Sequence, residues 1–86
     1  MMEEICRKKL TEIRTSLENK LSEMKLPTEN LLSFVKEKEI AEGIANRCQE
    51  TELLAIKQKI ENLTPNSTEL KILIQEIIKD IKNLLT

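Results

Sequence analysis

Leu70-Lys71-Ile72-Leu73-Ile74-Gln75-Glu76-Ile77-Ile78-Lys79-Asp80-Ile81-Lys82-Asn83-Leu84-Leu85 decides the fold class. Its isoleucines have strand preference, but the apolar positions do not alternate. Leu70, Leu73, Ile74, Ile77, Ile78, Ile81, Leu84 and Leu85 recur at i, i+3, i+4 and i+7. At 100° per residue they fill one arc of roughly 140°, and Lys71, Gln75, Lys79 and Lys82 line the other side. That is an amphipathic helix, and an arc of this width predicts contact with two neighbours.

Upstream, the segment Leu63-Thr64-Pro65-Asn66-Ser67 separates this helix from the one before it. Pro65 stops the preceding helix, Ser67 is placed to cap the next, and Glu69 falls in its first turn, where it complements the helix dipole. Leu26-Pro27-Thr28 repeats the arrangement, with Thr28 as cap and Glu29 in the first turn. Three helices follow, over about 2–25, 28–63 and 68–85. In the first, Cys6, Leu10, Ile13, Leu17, Leu21 and Met24 form a narrow stripe of the coiled-coil kind, which calls for one partner helix. Glu3 with Arg7, and Glu4 with Lys8, are opposite charges four apart on its flank.

The second predicted helix is the ambiguous one. Leu31, Phe34 and Val35 share a face with Leu53, Ile56, Ile60 and Leu63, while Ile40, Ala41, Ile44 and Cys48 point up to half a turn away. A continuous rod of about 54 Å would meet both outer helices near residues 46–51, where two-sided apolarity belongs. Gly43 would then permit close helix approach. The expected fold is therefore all-α: three antiparallel helices around a long central one, with coiled-coil-like packing. The alternative is a four-helix bundle with the second helix broken near residues 43–51, at Gly43 or at Gln49-Glu50-Thr51, with Thr51 capping the new helix. Residues 1–86 read as one helical-bundle domain, and apolar spacing that reaches both ends fits a domain excised from a longer chain or a subunit with packed ends.

Composition excludes more than it assigns. The chain has no His, Trp or Tyr, a single Phe and a single Gly. Without imidazole there is no ordinary general base, and without Gly-rich loops there is no phosphate cradle. Carboxylates four or fewer apart, such as Glu39 with Glu42 and Glu76 with Asp80, read as solvated faces, and no Glu-x-x-His or Cys-x-x-Cys spacing occurs. No cofactor, metal or small-molecule ligand is expected, and no enzyme.

Fourteen Lys and Arg against fifteen Asp and Glu leave a net charge of −1, which gives no field for nucleic acid or anionic lipid. No apolar run is long enough to span a bilayer, and Met1-Met2-Glu3-Glu4 does not open a secretory signal. An intracellular location is expected on that basis. Cys6 and Cys48 then read as packed, reduced thiols, although the hairpin register sets Cys6 opposite residue 47 and so beside Cys48. In that setting the acceptor pattern Asn66-Ser67-Thr68 carries no glycosylation reading.

The remaining function class is protein–protein contact. A core with one aromatic ring in 86 residues has a thin stability margin, which self-association or a helical partner would relieve. The candidate contact positions are Ile40, Ile44 and Cys48 with Ile74, Ile78 and Ile81, each of which fits an intramolecular core equally well. A homodimer or assembly subunit is the first expectation. The alternative is a small helical chaperone or regulator that holds an amphipathic client segment between its helices.

Overall fold

The computed structural model describes residues 3–23, 34–48, 50–63 and 69–86. They form four helices and, among the described residues, no strand: α1 (Glu4–Glu23), α2 (Val35–Cys48), α3 (Thr51–Glu61) and α4 (Leu70–Leu85). The radius of gyration is 12.6 Å, close to the roughly 12 Å of a compact chain of this length.

The long central helix is not continuous. It is interrupted between Cys48, the last residue of α2, and Thr51, the first of α3; Glu50 is extended at φ −92° and ψ 135°. Two constraints force the break. Carried through at 100° per residue, the Leu53-Ile56-Ile60-Leu63 stripe would point about 100° away from the Glu37-Ala41-Ile44-Cys48 stripe. A straight rod would also carry residues 51–63 past the end of α1, because Cys48 already lies beside Cys6. Breaking the chain lets both stripes face one centre. Glu50, not Thr51, occupies the cap position, and its side chain makes no capping hydrogen bond.

Each helix meets two others: α1 packs on α2 and α4, and α3 packs on α2 and α4. The two neighbours expected for α4 are present, whereas the narrow stripe of α1 serves two helices instead of one. Leu10, Ile13, Leu17, Phe34, Ala41, Ile44, Leu53, Ile56, Ile60, Leu63, Leu70, Ile74, Ile77, Ile78 and Ile81 form one contiguous buried cluster. Apart from Phe34 it is entirely aliphatic. Phe34 itself precedes α2, so the helix begins later than the predicted residue 28. At α4, Glu69 stands at the cap position and makes no side-chain capping bond. The expected turns at Pro27 and Pro65, and the caps at Thr28 and Ser67, lie outside the described residues.

Cys6 and Cys48 are joined in a disulfide, so the expectation of two reduced thiols is overturned. Both positions are on apolar stripes, and a buried thiol and a bridged one look alike in sequence. The bond connects residues 42 apart in sequence. By the chain-entropy account it contributes about 4 kcal/mol, against a total of roughly 4–13 kcal/mol for a domain of this length.

Gly43 is exposed, and a Cβ there would meet nothing within 4 Å, so it does not mediate close helix approach. Gly in a helix interior costs about 1 kcal/mol relative to Ala. Gly43→Ala should therefore raise the unfolding free energy in urea by about 0.5–1 kcal/mol, and any loss of stability would mean that the position is constrained after all.

Candidate functional site

Of the six candidate contact residues, Ile44, Ile74, Ile78 and Ile81 belong to the contiguous core, and Ile40 and Cys48 are half-buried against it. The structure brings them together inside one chain, on the helix faces that already touch each other. Among the described residues, the large apolar side chains left outside are Ile5, Val35, Leu54 and Ile72. Val35 and Ile72 are 62% and 64% exposed, on the outer faces of α2 and α4.

Among the described residues one charged side chain lies within the core. Glu37, in the first turn of α2, is wholly buried. Its Oε1 accepts a hydrogen bond from Ser16 Oγ at 3.2 Å and another from Lys20 Nζ at 2.6 Å, and Lys20 also reaches Oε2. Ser16 and Lys20 are one turn apart on α1, so both project onto the same point of α2. Lys20 Nζ further stands 5.0 Å from the centre of the Phe34 ring, a cation–π arrangement. The helix N-terminus adds a favourable dipole for the carboxylate. Lys36-Glu37-Lys38-Glu39 reads as a solvated run, which hid this residue. The available signal was the phase of Glu37 with Phe34, Ala41 and Ile44.

A second charged cluster ties α3 to α4. Lys59 Nζ donates to Glu76 at 3.0 Å and to Asp80 at 2.5 Å. The hydrogen bond to Asp80, then that to Glu76, holds the Lys59 ammonium above its ordinary range, against a smaller opposing effect of burial. The pair Glu76 and Asp80, predicted to share a solvated face, is thereby bridged by one ammonium. The expected pairing of Glu3 with Arg7 gives way to longer-range contacts: Glu3 meets Arg47 at 3.5 Å, and Arg7 donates to the Leu85 carbonyl at 2.9 Å.

Two surface depressions accompany these clusters. One, about 420 Å³, lies between α3 and α4 and is lined by Ala55, Ile56 and Leu84 with Glu52, Asp80 and Asn83. The other, about 390 Å³, is lined on the α1 side by Thr11, Glu12, Thr15, Ser16 and Asn19, facing Lys36. Among the described residues no group of three or more His, Cys, Asp or Glu is placed to hold a metal ion. No described helix is long and apolar enough to cross a membrane. No family model, no curated protein and no solved structure matches the chain.

Removing one partner of a buried ion pair strands the other charge, which typically costs 3–5 kcal/mol. Lys20→Met should therefore destabilise the chain by about 3 kcal/mol or more in chemical denaturation, and adding Glu37→Leu should restore most of that loss. For Lys59, a raised folded-state value means its contribution is complete below the ordinary lysine range and fades as pH climbs through the folded value. Partly exposed pairs contribute up to about 1 kcal/mol each. Lys59→Met should thus be less stable than the parent at pH 7, with the difference closing in strongly alkaline solution; a gap unchanged across that range would remove the ion pairs as its cause.

Proposed function

We propose that the chain is a non-enzymatic protein–protein interaction module acting through helix–helix contact, as a homodimer or as a subunit of a larger assembly. The observation that carries this reading is the exposure of Val35 and Ile72 on helices whose inner stripes are already committed to the core. Single exposed apolar residues are ordinary. Here four large ones remain outside among the described residues, with Leu54 and Ile5 as the other two. The contact surface proposed is accordingly the outer one, with the half-buried Ile40 and Cys48 at its margins, and Ile44, Ile74, Ile78 and Ile81 supporting it from within.

The chemistry on the surface supports the same reading. Both cysteines are consumed in their mutual bond, so neither is a thiol nucleophile in this state. Some of the charged groups are paired with each other, as Lys59 is with Glu76 and Asp80. An antiparallel up-and-down order of the four helices is part of the proposal. It is supported by Glu37 meeting Lys20 while Cys48 meets Cys6, and by Lys59 meeting Glu76 and Asp80 while Glu52 and Leu84 border one groove.

A second reading rests on that groove between α3 and α4. Its apolar floor, with carboxylates beside it, would suit an amphipathic client helix that carries a basic residue. A client held this way raises the melting temperature of a monomer, whereas an assembly subunit shows concentration-dependent association by itself.

Sedimentation velocity over a wide concentration range separates these outcomes. The wild-type chain should self-associate, and Val35→Asp with Ile72→Asp should shift it to monomer with little change in helicity or melting. A wild-type chain that stays monomeric at every concentration would defeat the self-association reading.

A further inference from the structure

The two ends of the α1–α2 pair are fastened in different ways. At one end the fastening is noncovalent and internal: buried Glu37 with Ser16 and Lys20, and Phe34 in the contiguous core. At the other it is the Cys6–Cys48 bond. Leu10 is the first residue of α1 to enter the contiguous core, and among described residues before it only Cys6 is buried. The remaining links there are exposed: Arg7 to the Leu85 carbonyl, and Glu3 to Arg47, whose side chains are both more than 60% exposed. Exposed contacts of this kind hold little. Beyond the backbone hydrogen bonds of α1 itself, residues 4–9 are therefore fastened to the rest of the bundle chiefly by one covalent bond.

That bond is asymmetric in its access. Cys6 is fully buried, whereas Cys48 is half-buried in the last turn of α2, next to the α2–α3 break. We propose that the disulfide is a redox-sensitive latch, whose reduction by a dithiol frees residues 4–9 from one end of the bundle while the Glu37 end stays closed. A thiolate of the dithiol attacks Cys48 Sγ, forming a mixed disulfide. The electron pair of the Cys6–Cys48 bond leaves on Cys6 Sγ, which takes a proton from water. The second thiol of the reductant then attacks its own sulfur in the mixed disulfide and releases Cys48 as a thiolate, which is protonated in turn. The protein gains two electrons and two protons, and the dithiol becomes a cyclic disulfide.

The test compares backbone ¹⁵N order parameters of the full chain oxidised, after dithiothreitol without denaturant, and as Cys6→Ser with Cys48→Ser. On reduction, residues 4–9 should fall from about 0.85 to below about 0.6, while residues 37–41 and 74–78 keep rigid values. The double serine variant should show the reduced pattern and ignore dithiothreitol. Three results would each overturn the latch: residues 4–9 that stay rigid when reduced or substituted, collapse of signal dispersion along the whole chain, or a bond that dithiothreitol leaves intact until denaturant is added.

Discussion

A core made almost wholly of branched aliphatic side chains has to be enclosed from several directions at once. Large aromatic rings can fill a small interior from one or two helices, but Phe34 is the only aromatic residue in this sequence. Each helix supplies a single buried stripe, rich in Leu and Ile on α1, α3 and α4 and built of Ala41, Ile44 and Ala45 on α2, so all four stripes must point at a common axis before the centre is dry. The break between α2 and α3 satisfies that demand. It costs the hydrogen bonds of one helical turn and the strong preference of a long amphipathic segment for continuity. In exchange Leu53, Ile56, Ile60 and Leu63 come to bear on the same interior as Ala41 and Ile44.

Polar groups are placed around this interior according to how much each can tolerate losing water. Glu37, fully enclosed, has a hydroxyl, an ammonium and a helix N-terminus directed at it, which is what a buried carboxylate requires. Lys59, a third exposed, bridges two carboxylates that would otherwise repel one another across one turn of α4. Such a bridge orients α3 against α4 more than it stabilises them. The contacts of Arg7 and Glu3 are more exposed again, and the end of the bundle that they join is held by sulfur.

Much of this was legible in the sequence, and the failures have physical causes. The 3.6-residue periodicity of Leu70–Leu85 defines α4 closely, because nothing in its middle competes with the pattern. The hairpin register places Cys6 by Cys48, since rise per residue is a fixed length. Whether those thiols were bonded could not be read, because burial and bridging favour the same stripe positions. The α2–α3 break was visible as a change of stripe phase, but a continuous helix could absorb that change by having two apolar sides. Tertiary packing chose between them: once α1 lies along α2, a straight continuation has no partner. Glu37 was missed because a charge within a charged run looks solvated, although Ser16 and Lys20 on α1 are spaced to receive it. Of the six positions read as a contact surface, Ile44, Ile74, Ile78 and Ile81 face inward and Ile40 and Cys48 lie half-buried at the edge of the core, whereas Ile72, the one isoleucine outside the α4 arc, stands in solvent.

The Cys6–Cys48 bond also changes the topology of the molecule. It closes the backbone from α1 to the end of α2 into a covalent ring, with α3 and α4 attached to it as a branch. A single peptide cleavage anywhere within that ring leaves one molecule of nearly the same mass, opened but undivided, whereas a single cleavage between α3 and α4 splits it into two chains.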